Sequence, residues 1–128
     1  MTGDVDLPGV CPDIPVRLAS WDLYWQLSRI EGGSPPLAVA EAMATGVPVV
    51  VSDVPGLREG VIDGKTGLRV PSDYIRGVAD RSAELLASPS LYGDIAVAAR
   101  AYVERYCDFR RTVEGYIRAA EDGIVGRW

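Results

Sequence analysis

The sequence predicts an α/β domain: a parallel sheet of about three strands, followed by C-terminal helices. Three observations predict it. Val47-Pro-Val-Val-Val-Ser52 is a continuous β-branched run, as expected of a strand covered on both faces of a parallel sheet. An apolar, aromatic segment, a loop and a helix precede it, and together they span about 30 residues, the size of one βαβ unit. From Ser72 onward the apolar residues recur at helical spacing. Doubly wound domains commonly carry five or six strands. Three strands therefore read as the second half of such a domain, without its first.

The elements follow in order. Residues 1–12 hold glycine and proline without a period and are expected to form an irregular arm, leaving residues 13–128 as the domain. Asp13 can cap a short helix, with Pro15 near its first turn, running through Val16, Leu18 and Ala19 to about Ser20. Asp22-Leu-Tyr-Trp-Gln-Leu27 reads as a strand. After the loop Ser28–Pro36, Pro36 suits the first position of a helix, because its missing N–H is not needed there. That helix runs from Leu37 to about Thr45 and stops at Gly46. The strand Val47–Ser52 leads to the turn Asp53-Val-Pro-Gly56 and a short amphipathic piece, Leu57–Ile62. Asp63-Gly-Lys-Thr-Gly67 turns into a brief strand, Leu68–Val70. Ser72 or Asp73 caps a helix with Ile75, Val78, Ala79, Leu85 and Leu86 inward, ending near Ser88-Pro89. A second helix runs from Ser90 through Ile95, Ala98, Tyr102 and Val103 to Tyr106. A third runs from Asp108 through Val113, Tyr116, Ile117 and Ala120 to Gly123. Trp21, Tyr24 and Trp25 are expected in the core or at a domain interface, and Tyr102, Tyr106 and Tyr116 as aromatics packed between helices.

Composition excludes several functions. The chain has 128 residues and a net charge of −5, which argues against a nucleic-acid binder. It contains no histidine, which removes Ser-His and Cys-His catalysis and the usual metal sites. The two cysteines, Cys11 and Cys107, lie far apart and outside any zinc spacing. No apolar run approaches the roughly 20 residues that cross a bilayer, and the expected location is the cytoplasm. Asp63-Gly-Lys-Thr-Gly67 lacks the full Gly-x-x-x-x-Gly-Lys pattern and opens no helix, so nucleotide hydrolysis is rejected. Lys65 is expected to be a solvated turn residue, and Asp53 to act mainly as a turn former.

The segment Glu31–Asp53 is where a charged ligand is expected. It places a glycine-containing loop, a helix start and a buried strand in sequence. Such a helix start presents unpaired backbone N–H groups and the positive end of a dipole, to which phosphate is the natural guest.

Four blocks in order resemble a known family: Asp13-Ile-Pro-Val-Arg-Leu-Ala-Ser-Trp-Asp-Leu-Tyr24, Ser28-Arg-Ile-Glu-Gly-Gly33, Glu41-Ala-Met-Ala-Thr-Gly-Val-Pro-Val-Val-Val-Ser-Asp53 and Asp63-Gly-Lys-Thr-Gly-Leu-Arg-Val-Pro71. Over about residues 9–122 the chain is similar to the C-terminal domain of retaining glycosyltransferases of the GT-B fold, family 4, also called glycosyl transferases group 1. The resemblance implies a partial Rossmann-like half-domain that binds a nucleotide-diphosphate sugar, UDP- or GDP-linked, with no other cofactor and no metal. It implies retaining transfer to an acceptor held by an N-terminal domain. The family's Arg and Lys diphosphate clamp and its acceptor domain lie outside this chain. The partner is then an N-terminal acceptor-domain subunit or a second copy paired through an exposed sheet edge. The intact enzyme could sit peripherally at a membrane.

The family signature is two glutamates separated by seven residues, the first touching the transferred sugar and the second the nucleotide ribose. The second corresponds to Glu41. The first, and the candidate catalytic residue, corresponds to Glu31 through its Ser-Arg-x-Glu-Gly context. Nine residues intervene here, with the extra length in Gly32–Pro36, and strict counting would put Gly33 at that place. Gly32 and Gly33 would let backbone approach the sugar hydroxyls. Ser34 could donate to a phosphate or sugar, or cap the helix. The backbone N–H groups of Leu37 and Ala38 would face the donor phosphates. Two functions follow: the donor-binding half of a transferase, or a remnant or binding module without transfer activity of its own.

Overall fold

The computed structural model describes residues 5–32 and 35–125. Its elements in chain order are α1 (Ile14–Leu18), β1 (Tyr24–Gln26), α2 (Leu37–Ala44), β2 (Val49–Ser52), α3 (Leu57–Gly60), β3 (Leu68–Val70), α4 (Ile75–Ala87), α5 (Pro89–Tyr106) and α6 (Phe109–Val125). The sheet has three strands in the order β1-β2-β3, and both pairings are parallel. Tyr24 stands opposite Val49, Gln26 opposite Val51, and Val50 opposite Leu68. The predicted α/β class, strand number and βαβ unit are all present.

β2 is buried along its whole length because helices cover both faces of the sheet. Val49 and Val51 face Val39, Ala42 and Met43 of α2 together with Leu57 and Val61. Val50 faces the other way, towards Leu68 and Val70 of β3, Val78 and Leu85 of α4 and Ile95 of α5. α5 packs on both α2 and α4, contributing Ala99 and Val103 to the first core and Ile95 to the second. One helix thereby ties the two layers together.

Local signals set the ends of these elements. Gly46 has φ +79°, with its N–H bonded to the Met43 carbonyl while the Val47 N–H reaches Ala42. That double bond pattern is a Schellman stop, and its left-handed residue is best served by glycine. Gly67 is required for a different reason: a Cβ there would lie 2.6 Å from a Val49 methyl and 2.7 Å from Val61. The Ser88 hydroxyl accepts from the Leu91 N–H at 3.4 Å and caps α5 ahead of Pro89.

Several expectations are corrected. Pro36 is the cap of α2 rather than its first residue, and the strands at β1 and β2 are shorter than predicted. α3 ends at Gly60 instead of Ile62. Neither Ser72 nor Asp73 caps α4; both lie in a turn, and Tyr74 holds the cap position without a side-chain bond. On α4 only Val78 and Leu85 of the five predicted inward residues are buried, because Gly77, Val78, Ser82 and Leu85 form the stripe against the sheet. Ile75, Ala79 and Leu86 fall off that stripe and are exposed. Trp25 is about half exposed on an edge strand with nothing beyond it among the described residues, and Trp21, in the connection before β1, is about half exposed as well. Tyr102 is half-buried and its ring sits 4.9 Å from that of Tyr106, but Tyr116 on α6 is 74% exposed rather than packed between helices.

Candidate functional site

All three parallel strands point their carboxyl ends the same way, and open α/β sheets bind ligands beyond that edge. Two features meet there, one on each face of the sheet. The first is built from β1 and the loop into α2. Tyr24 and Gln26 alternate along β1 onto the α2 face. The Tyr24 hydroxyl donates to Gln26 Oε1 at 2.8 Å. The Gln26 amide donates to Ser28 Oγ at 3.2 Å and to Glu31 Oε2 at 3.0 Å. Ser28 in turn donates to the same Glu31 oxygen at 3.0 Å. Glu31 is thus held by two donors through one carboxylate oxygen. Its other oxygen has no hydrogen bond among the described residues.

Glu41 lies on the second turn of α2 and is half-buried. Its side chain makes no hydrogen bond among the described residues. Its charge is nonetheless felt at Tyr24, whose hydroxyl is pushed above the ordinary tyrosine range first by burial, then by Glu41 and Glu31. The two glutamates separated by nine residues in sequence therefore share one neighbourhood around Tyr24.

α2 begins at this place without a side-chain cap and with no acidic residue in its first turn. Its first intrahelical bond is from the Ala40 N–H to the Pro36 carbonyl, at 3.0 Å. Leu37 and Ala38, at the start, are exposed, as is Gly32. Gly33 and Ser34 lie outside the described residues. The approach to the helix is seated by Gly60 at the end of α3, where an added Cβ would come within 2.3 Å of the Pro35 side chain and 2.8 Å of its Cα. Only a glycine lets the loop come that close.

The second feature is a cleft of about 250 Å³ on the α4 face. Leu27, Ser28 and Arg29 after β1, Ser52 at the end of β2, Val70 and Ser72 at the end of β3, and Tyr74 at the start of α4 line it. Ser28 belongs to both features, lining the cleft while bonding Glu31. Beside it, Asp53 is more than a turn former. Its carboxylate receives Arg58 at 2.9 Å and Arg69 at 3.4 Å. The Arg58 hydrogen bond holds it below the usual carboxylate range.

Sequence reasoning missed Gln26 and Ser28 as the groups that hold Glu31, and Tyr24 as the group that holds Gln26. The signal was a polar Gln26 two residues after Tyr24 on an otherwise apolar strand, which puts both on one face. The cleft had no sequence signal, because its wall comes from the ends of three separate strands and from α4. Among the described residues no group of three or more His, Cys, Asp or Glu is placed to hold a metal ion. No described helix is long and apolar enough to cross a membrane.

The family model described as "Glycosyl transferases group 1" matches residues 1–88. The chain belongs to that family. Among curated relatives, the D-inositol 3-phosphate glycosyltransferase of Rhodococcus erythropolis is 30% identical over 116 residues, covering 89% of this chain and 26% of the relative. The chain spans about a quarter of the length of such relatives. Among solved structures, the C-terminal domain of a glycosyl transferase group 1 protein, LpcC of Francisella tularensis, superposes with a TM-score of 0.71 at 22% identity, over 82% of this chain and 53% of that one. HepE of Anabaena, solved in complex with UDP-glucose, superposes with a TM-score of 0.68 at 26% identity, over 73% of this chain and 26% of that one. The fold is that of the C-terminal domain of these group 1 glycosyltransferases.

Proposed function

We propose that this chain is the donor-binding part of a retaining glycosyltransferase and that it holds a nucleotide-diphosphate sugar at the carboxyl edge of its sheet. The observation that carries the proposal is the convergence of Glu31, Glu41 and an uncapped helix start on one side of that edge. The resemblance to a chain solved with UDP-glucose supports the ligand class, with UDP- and GDP-linked hexoses both admitted.

In this proposal the diphosphate sits at the start of α2. The N–H groups of Leu37 and Ala38 and the positive helix end stabilise its charge. Glu41 accepts from the ribose hydroxyls. Glu31 accepts a sugar hydroxyl on the oxygen left open by Gln26 and Ser28, and is the catalytic residue in the sense that it touches the transferred sugar. Gln26, Ser28 and Tyr24 are positioning residues: they keep the Glu31 carboxylate in one place so that no reorganisation is needed during transfer. Gly32, Gly33 and Ser34 complete the loop around the sugar. The cleft is smaller than the 300–1,000 Å³ typical of whole small-molecule sites, so it takes one end of the donor only. No metal takes part. Transfer itself requires an acceptor-binding domain or partner and further Arg and Lys side chains on the leaving diphosphate, because the departing charge must be stabilised for the bond to break. The span of about a quarter of its relatives supports a second reading, a nucleotide-sugar binding module with no transfer of its own.

Calorimetric titration tests both. UDP-glucose or a GDP-hexose is expected to bind, and Glu41→Ala to weaken it about tenfold, as for loss of a charged hydrogen bond. Glu31→Gln is expected to weaken the nucleotide sugar while leaving the bare nucleotide diphosphate unchanged. Absence of binding by every nucleotide sugar contradicts the donor site. Binding without sugar transfer, after an acceptor domain from a relative is added, selects the module.

A further inference from the structure

Between α5 and the turn that enters β3 lies a hollow of about 370 Å³. The turn stands at the amino end of β3, away from the carboxyl edge where α2 begins. In the usual doubly wound order the strands of a first half join beyond β1, whereas the hollow lies beside β3, at the other side of the sheet. Its α5 wall is shaped by side-chain size. Ala98 and Ala101, three residues apart and so on one side of the helix, leave room, and Tyr102 and Tyr106 close one end with rings 4.9 Å apart. The Tyr102 hydroxyl donates to the Glu59 carbonyl at 3.3 Å, which fixes its ring.

The charges around this hollow are of one sign. Lys65 lines it from the turn and Arg105 from α5, and no acidic residue lines it among the described residues. The neighbouring carboxylates are engaged elsewhere, Asp63 with Arg81 at 3.1 Å and Glu104 with Arg100 at 2.9 Å. Neither Lys65 nor Arg105 has a carboxylate partner among the described residues. The Arg105 guanidinium lies 5.3 Å from the centre of the Tyr106 ring, a contact that holds it at the rim. Thr66, only 2% exposed, accepts from the Ile62 N–H at 2.8 Å, and its own O–H has no acceptor among the described residues. In a chain of net charge −5, two cations and a spare donor thus share one hollow without a negative group.

We propose that this hollow is a second ligand site, which takes a small organic phosphate with a flat apolar body. The phosphate sits between Lys65 and Arg105. A guanidinium fork meets two of its oxygens and an ammonium meets a third as a point charge. Two cations match a phosphate dianion, where a single carboxylate would leave one of them without a partner. The body lies against Ala98, Ala101 and the Tyr102 ring, a surface that suits a planar group. At about 370 Å³ the hollow falls within the 300–1,000 Å³ of ordinary small-molecule sites. The site is one of binding alone and is independent of the donor at the start of α2.

Amide NMR of the full 128-residue chain during titration with phenyl phosphate tests this. Saturable shifts are expected at residues 62–66 and 98–106, with a dissociation constant of about 1 mM for so small a ligand. Lys65→Gln and Arg105→Gln are each expected to weaken binding about tenfold, as for loss of a charged hydrogen bond. Both side chains are exposed, and circular dichroism confirms the fold of each variant. Inorganic phosphate and phenol each offer half of the match and are expected to bind at least about tenfold more weakly. Shifts that never saturate, or that saturate only at the start of α2, overturn the proposal. So does an affinity indifferent to both substitutions, and so does inorganic phosphate binding as tightly as phenyl phosphate.

Discussion

α2 and α6 are both helices rich in apolar residues, yet they end in opposite situations. α2 is only eight residues long and buries Val39, Ala40, Ala42 and Met43 against β2 and α5. α6 is twice as long and far more clearly two-faced, but every one of its side chains described in the fold is exposed. Pattern makes the helix; a facing surface makes the burial. α2 has that surface because a parallel strand lies on one side of it and α5 on another. α6 follows after both cores are closed, and its stripe is left exposed.

The difference can be broken by substitution. Met43→Ala removes a fully buried side chain and is expected to cost about 2–5 kcal/mol in urea unfolding. Tyr116→Ala, at a similar loss of apolar bulk, is expected to change the stability of dilute chain by less than about 0.5 kcal/mol. Equal losses would show that α6 is packed in solution. A slightly smaller effect is expected from Gly67→Ala, about 1–3 kcal/mol, because its Cβ must push Val49 and Val61 apart. Ser88→Ala leaves the first turn of α5 short of a cap and should lower the stability by about 1 kcal/mol.

Gly60→Ala sharpens the comparison at the site rather than in the core. The added methyl meets Pro35, so the start of α2 must shift. The expected outcome is weaker binding of UDP-glucose by about tenfold or more, as for a misplaced positioning group, measured beside the unfolding midpoint. Unchanged affinity would detach the Pro35 approach from the ligand.

The smallest effects are in pH. Asp53 is held below its ordinary value by Arg58, so its contribution is present at neutral pH and is lost as pH falls below about 4. Asp53→Asn should flatten the acid limb of a stability profile, modestly, because the pair is exposed. Tyr24 is raised instead, so the folded state holds its proton longer than the unfolded chain. Stability should therefore fall as pH rises above about 10, and Tyr24→Phe should lessen that fall, the rest coming from Tyr92 and Tyr102, whose hydroxyls burial also pushes up.

Much of the fold was legible because strong local signals agreed with one another. The β-branched run at Val49–Ser52, the stop at Gly46 and the turn before Leu68 each have one favoured conformation, and the parallel sheet follows from their order. The helix faces were less legible. Leu85 and Leu86 look alike in sequence, but neighbours on a helix point about 100° apart, and only Leu85 meets the sheet. Trp25 looks like a core residue and is half exposed because its strand is an edge. At the site, Glu31 and Glu41 could be proposed from their surroundings in sequence. The hydrogen bonds that fix Glu31 come from Gln26 and Ser28, and only the alternation of a strand hinted at them. The cleft on the α4 face could not be foreseen, since it is assembled from segments far apart in the chain.

A donor site at the start of α2 must respond to a nucleotide-diphosphate sugar residue by residue. Residue-resolved amide NMR of the chain during titration with UDP-glucose, and separately with a GDP-hexose, tests it most directly. Shifts centred on Glu31 to Glu41 that disappear in Glu41→Ala, with the α6 signals unmoved, are expected. A well-dispersed spectrum that no nucleotide sugar perturbs, or shifts confined to the other end of the sheet, would contradict it.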